Sequence, residues 1–495
     1  MCLPDSLGSK TTVAFATDRI NDWLESLEKR EQTLSLDLPK EIHSKLNALL
    51  TKQEMERILK TRFDQRDVSH LRNQILLRNI AERITKRKNE KETDILQDCT
   101  DLFYYTMRNV ALIEEKDAVP FRTFGILLWG RGTVHDRAWI FASLLKQYTK
   151  TPVDAVILKP KTGSSKSHSS NFLVGLMIHS ASHKGKVYLY DPLLGIPLPS
   201  DKGDSKPFIL VERPCTLEEF TRDDTVFERL RTRSNEYRLK PQDLKNVDCQ
   251  IVSNTSYLSP RSKLLQYYLN KNQQVLVYEN LFDVQENATI QNSGLFDRVS
   301  RFSAKSWTSK DVTLWHFPEE TIRRYDHLKD NPDIERKVER IVKTFGAPYG
   351  SDIINEHFRS RVAQLMGRNS EALERYLRVK FGYSLDTTGR QGTQASESSV
   401  LNALAASDAA FWTGIVKIEQ NKFDAAIDLL RVYSKKNQEN PNYFGHCMFW
   451  LGYAQMKSRK FAAGVQSLSR IPDSVPIYRT GRFFLAKWRA IRDSQ

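Results

Sequence analysis

The chain has 495 residues, 40% hydrophobic, 27% charged and 10% aromatic, with a formal net charge of +15. That length exceeds one ordinary core and that composition can bury ample apolar surface, so several folded domains are expected and wholesale disorder is excluded. No run approaches the roughly 18 apolar residues of a bilayer span, and the five cysteines (Cys2, Cys99, Cys215, Cys249, Cys447) are scattered, odd in number and free of any CxxC pair, which argues against a disulfide scaffold or a structural zinc site.

The amino terminus shows no basic region followed by a long apolar stretch. A cytoplasmic location is therefore expected for the chain as written, with the cell envelope open if the true start lies upstream. From Asp18 to Glu92 the residues read as helices, with Leu71, Ile75, Ile80 and Ile84 at near-helical spacing. The stretch 51–92 has twelve Lys or Arg against seven acids. The only dense run, Lys86-Arg87-Lys88, reads as a solvated surface, with an anionic partner as the other reading.

Gln97 to Leu112 reads as a further helix. Gly130-Arg131-Gly132 then breaks the chain, and Thr133 with Asp136 forms a capping-box pattern that starts a helix at Val134. Strand-like runs follow at Val153–Leu158, Phe172–Ile178 and Val187–Tyr190, with a Ser/Gly/Lys-rich loop from Pro160 to Ser170 between the first two. A mixed α/β domain is expected from Lys206 to Asp330, with a capping box at Thr216 and Glu219, a helix beginning at Ser259-Pro260, and strands at Val275–Tyr278 and Val312–Trp315. Residues 331–383 read as charged helices, and Ser384–Ser399 as a linker.

The last hundred residues hold an internal repeat. Phe411-Trp412-Thr413-Gly414 with Phe423-Asp424-Ala425-Ala426 recurs as Phe449-Trp450-Leu451-Gly452 with Phe461-Ala462-Ala463-Gly464. The pattern resembles tetratricopeptide repeats: Gly414, Phe423 and Ala426 match the first copy, and Gly452 and Phe461 the second, where Gly464 stands in place of the usual alanine. Thr480 to Arg492 is expected to close the stack.

Between these regions, the order helix, strand, strand, strand resembles the transglutaminase-like branch of the papain-like superfamily, over roughly Gln97 to Pro199. That family's Gly-x-Cys-x-Asp-x-Ala motif appears as Gly132-Thr133-Val134-His135-Asp136-Arg137-Ala138. The resemblance implies a thiolate at position 134, a histidine near Asn171 and an aspartate at Asp191, before Pro192. Valine cannot attack a carbonyl, and Asn171 cannot act as a base near neutral pH. The degenerate triad Val134, Asn171 and Asp191 thus implies a pseudoenzyme, with Asp191 capping a turn. Cys99 reads as a buried structural thiol, His135 as an ordinary residue at a helix start, and His168, His179 and His183 lack zinc-site spacing. The Ser165–Ser170 tract has no Gly-x-Ser-x-Gly elbow.

The expected architecture is α+β multidomain: a helical region (1–96), a degenerate transglutaminase-like domain (97–205), a mixed α/β domain (206–330), a helical segment and linker (331–399) and all-α tetratricopeptide-like repeats (400–495). The layout resembles large bacterial proteins that join such a domain to carboxy-terminal repeats. The function expected is protein binding or scaffolding without cofactor or metal, the repeats holding polypeptide partners, with Lys417, Lys422, Lys435 and Lys436 suited to an acidic peptide. The alternatives are a hydrolase or transferase with a rearranged site, and a nucleic-acid or membrane-surface binder whose dispersed charges converge on one face.

Overall fold

A six-stranded sheet organises the middle of the chain. In a computed structural model that describes residues 10–30, 38–86, 94–161, 170–200, 208–222, 224–230, 237–269, 275–282, 293–302, 306–345, 352–388, 397–437 and 443–494, the strands are β1 (Val153–Pro160), β2 (Leu173–Ile178), β3 (Val187–Asp191), β4 (Ile196–Pro197), β5 (Val247–Ile251) and β6 (Val312–Leu314). Their spatial order is β4-β3-β2-β1-β5-β6, antiparallel throughout except for the parallel β5–β6 pair. The stretch 206–330, expected as a domain of its own, supplies β5 and β6 and so extends the sheet begun by β1–β4.

Both faces of the sheet are covered, and the two-residue side-chain period assigns each residue to one of them. Ala155, Ile157, Val174, Leu176 and Tyr190 pack with the helices Ile95–Asn109 and Val134–Lys146. Val156, Leu158, Met177 and Leu189 join a second apolar cluster that includes Ile42 and Leu46 of the helix Lys40–Leu49 and continues into the carboxy-terminal helices. The structure is thus α+β, with a helical amino-terminal part (Lys10–Arg30, Lys40–Leu49, Lys52–Ile58, Gln65–Thr85) and a helical carboxy-terminal part.

Several predicted starts coincide with those observed. Thr133 accepts the backbone N–H of Asp136, whose side chain in turn accepts that of Thr133, and the helix begins at Val134. Thr216 and Glu219 exchange the same two bonds, and a helix begins at Leu217. The run Val275–Tyr278, expected as a strand, is not one. Its backbone is taken by glutamine side chains instead: Gln266 donates to Val275 O and accepts from Val277 N, and Gln147 donates to Leu276 O and accepts from Leu276 N. The expected linker 384–399 is helical at both described ends, to Thr388 and from Glu397, and its middle lies outside the described residues.

The carboxy-terminal part is a stack of helical hairpins: Asp352–Leu365 with Asn369–Thr388, Glu397–Glu419 with Phe423–Lys436, and Phe444–Lys457 with Phe461–Ser469, closed by Tyr478–Asp493. Two of these pairs are the copies read from sequence, and the first is an additional one. All three share one turn geometry. A residue with positive φ (Gly367, Asn421, Arg459) donates its N–H three residues back, and the next residue donates five back. A small residue sits five positions beyond it, at Ala372, Ala426 and Gly464. Gly414 and Gly452 mark close helix approach, since an added Cβ would lie 2.5 Å from Leu430 Cδ2 and 2.9 Å from Trp488 Cζ3 respectively. Phe423 and Phe461 are half-buried against the shared apolar cluster. Among the described residues no helix is long and apolar enough to cross a membrane.

Candidate functional site

The helix Thr123–Trp129 ends at Gly130, which adopts φ +69°, and the chain turns back through Arg131–Gly132 beside Ala111–Leu112. This turn delivers Thr133, and the capping box fixes Val134 in the first turn of its helix, 3% exposed. A nucleophile at that place would gain from the helix dipole. An isopropyl group gains nothing.

The next residue, His135, reaches the start of β2: its ring lies 5.0 Å from that of Phe172, which follows Asn171. It stacks on Phe317 (5.0 Å, 24°) and Trp315 (6.2 Å, 22°), and Nδ1 hydrogen-bonds Glu115 Oε1 at 2.9 Å. The imidazole is held by three aromatic rings and one carboxylate.

Asp191, at the end of β3, is fully buried and fully engaged. Oδ1 accepts the N–H groups of Leu193 and Leu194, both at 2.9 Å, and Arg238 Nη2 at 3.0 Å. Oδ2 accepts the Tyr237 hydroxyl at 2.8 Å and is paired with Arg238 Nη1. Arg238 Nη2 also donates to the carbonyl of Phe172 at 2.9 Å, which ties β3 to the start of β2. The segments carrying positions 134, 171 and 191 therefore meet at one end of the sheet, where Arg238 occupies Asp191. The turn-capping role expected for Asp191 is present, but its bonds to Tyr237 and Arg238 were not anticipated. Nor was the ring set of Trp315 and Phe317. No local motif announces these residues, because their role arises only when β6 and the segment after residue 236 fold against β2 and β3.

The other sequence candidates are dispersed. Cys99 is fully buried, and burial followed by the charge of Asp98 pushes its thiol well up, so it is no thiolate near neutral pH. Cys215, Cys249 and Cys447 are likewise buried. His179 donates to Asp154 at 2.6 Å, and Arg298 forks the same carboxylate at 2.8 and 2.9 Å. Burial alone would raise that carboxyl, but Arg298 and then His179 hold it well below the usual range. His183 contacts the Tyr188 hydroxyl at 2.7 Å, and His168 lies outside the described residues. Among the described residues no group of three His, Cys, Asp or Glu could hold a metal ion.

The helical hairpins meet this core along one face. The anchors come from the first helix of the first two pairs, from Tyr443 just before the first helix of the third, and from the closing helix. Arg361 donates to the carbonyls of Leu127 (3.0 Å) and Asn109 (3.1 Å) and lies 3.5 Å over the ring of Trp412. Glu419 accepts Asn109 Nδ2 at 2.9 Å. Tyr443 donates to Trp129 O, Thr480 to Leu194 O and Trp488 to Ile209 O, at 2.5, 2.8 and 3.0 Å. Trp412 packs so closely on Gly130 that a Cβ there would lie 2.1 Å from Cζ2. The face of the hairpins that carries these anchors is thus covered by the chain's own core. Lys422, Lys435 and Lys436 remain exposed on the other side, while Lys417 is half-buried.

No protein-family model matches this chain, and neither a curated protein nor a solved structure matches it.

Proposed function

We propose that this chain is a non-catalytic protein-binding or scaffolding protein, built on a degenerate transglutaminase-like core with tetratricopeptide-like repeats. One observation carries the reading: the carboxylate that would orient a catalytic histidine is already neutralised by Arg238 and hydrogen-bonded to Tyr237, Leu193 and Leu194. Restoring the missing letters would therefore not restore the chemistry, because a histidine at position 171 would find its orienting acid engaged. Val134 leaves no nucleophile, and the four described cysteines are buried. Partners engage surfaces other than the covered repeat face, and the exposed Lys422, Lys435 and Lys436 favour an acidic polypeptide there.

The test is the double variant Val134→Cys, Asn171→His, compared with wild type for iodoacetamide labelling and for acyl transfer from a glutamine peptide to an amine. We expect its thiol to label no faster than an unperturbed cysteine and neither protein to transfer acyl groups. Thiol-sensitive acyl transfer by wild type would overturn the reading.

A further inference from the structure

A cavity of about 50 Å³ lies beside the first turn of the Val134–Lys146 helix, walled by residues from the helices Gln65–Thr85, Thr123–Trp129 and Phe317–Asp326 and from the segment 254–256. Its walls are largely apolar, with Phe121, Ile126, Trp139 and Phe317 among them, but they also carry polar side chains that are more than nine-tenths buried: Asn73 is 8% exposed, Asn254 5%, Ser256 6% and Asp136 5%. Burial of that kind costs free energy unless each polar group finds a partner.

The hydrogen bonds around the cavity are unevenly spent. Asn254 uses Oδ1 to accept Tyr257 N at 3.0 Å, which fixes its amide and leaves Nδ2 without a partner among the described residues. Asn73 Oδ1 receives a long contact from Arg72 at 3.5 Å, which leaves its Nδ2 in the same position. Among the described residues, the Ser256 hydroxyl bonds to no protein atom. Arg66 Nη1 and Arg122 Nε are buried without partners, and the two guanidinium groups share the single carboxylate of Asp326. The spare capacity of these side chains, which include two guanidinium groups, is therefore donor capacity. Asp136 is the one acid in the wall, and its bonds from Thr133 all go to Oδ2, which leaves Oδ1 open. Burial raises its carboxyl to about 6, so below that pH it holds the proton that lets it donate to an arriving anion.

We propose that this cavity is a binding site for a carboxylate group, held by Arg66, Arg122, Asn73 Nδ2, Asn254 Nδ2 and the Ser256 hydroxyl, with Asp136 contributing its open oxygen. Two guanidinium groups suit the planar oxygen pair of a carboxylate. The volume admits the headgroup alone, so the rest of the ligand extends from the mouth. The site goes beyond the function proposed above and stands whether the carboxylate ends a polypeptide or belongs to a free small acid.

The experiment is calorimetric titration of the full chain with acetate, N-acetylglycine and N-acetylglycinamide, the last lacking the carboxylate. Acetate and N-acetylglycine are expected to bind saturably, and N-acetylglycinamide is not. Asn73→Leu, which keeps the volume and removes the donor, should weaken acetate by about tenfold, the size expected for one hydrogen bond to a charged group. Ser256→Ala provides the same reading with a smaller loss if Asn73→Leu does not fold. N-acetylglycine binding more tightly than acetate assigns the site to a chain end, and equal or weaker binding assigns it to a free acid. Absence of saturation, equal binding of N-acetylglycinamide, or unchanged affinity in a folded variant would each overturn the proposal and leave a water-filled cavity. None of these results depends on whether the chain is catalytic, so they separate from the failure of the preceding section.

Discussion

The sheet core and its seam with the helical hairpins bury charge in opposite ways. In the core, Asp191 is fully buried yet accepts bonds from Leu193, Leu194, Tyr237 and Arg238. At the seam, Asp408 is 4% exposed, burial pushes its carboxyl up to about 7, and the attraction opposing that shift comes from Arg131. The guanidinium of Arg131 lies 4.1 Å over the ring of Tyr443. The end of the sheet where positions 134, 171 and 191 meet is thus closed by an ion pair, while the seam carries an ill-compensated acid.

That contrast can be broken most forcefully at Arg238. Removing one partner of a buried pair leaves the other charge unpaired, which costs far more than the pair contributes in place. Arg238→Ala should lose about 4 kcal/mol in urea unfolding. A loss below about 1 kcal/mol would mean that Asp191 is relieved by other groups.

The seam can be tested at Gly130. An alanine there would keep a left-handed backbone and drive its Cβ into Trp412. Gly130→Ala should cost about 3 kcal/mol, combining strain and overpacking. Equal stability in the same unfolding assay would show that the hairpins are not seated on the turn as described.

The smallest expected effect is the most specific. A carboxyl raised in the folded state binds its proton more tightly there than in the unfolded chain. Its contribution therefore favours folding below about pH 4 relative to neutral pH, and stability declines as pH rises from about 4 to about 7, beyond which the term is constant. Asp408→Asn should remove that slope and be more stable than wild type near pH 8 by about 2 kcal/mol or more, the attraction of Arg131 being already included in the raised carboxyl. The difference should vanish below pH 4. Parallel pH profiles for the two proteins would show that Asp408 does not titrate across this range.

Local patterns were legible in the sequence where the chain satisfies itself. The Thr133/Asp136 and Thr216/Glu219 boxes, and the small residues Gly414, Ala426 and Gly452, declare their structures within a few positions. The three runs after Thr151 read as strands because each is apolar along its length. Val275–Tyr278 read the same way, but Gln147 and Gln266 capture its backbone from elsewhere in the chain. The hairpin before residue 388 is hidden because Ser360, Gly367 and Ala372 keep the spacing of the small positions, while His357 and Asn369 stand where the next pair has Phe411 and Phe423. At the site, positions 134, 171 and 191 could be named in advance from the family resemblance. Arg238, Tyr237, Trp315 and Phe317 could not, since distant segments bring them there. The cavity polar groups come from four separate stretches, and no sequence window contains more than a few of them.

The strand order carries a consequence for biosynthesis. β1 pairs with both β2, its near neighbour, and β5, whose own parallel partner β6 ends at Leu314. A chain emerging from the ribosome cannot complete its sheet until that leucine has appeared, so β5 waits with an open edge, and such long-range pairing is slow to form. The hairpins are made afterwards, from contacts between neighbours, and form quickly. They reach the core last, and their arrival covers the apolar surface that the unfinished chain has left open to wrong partners.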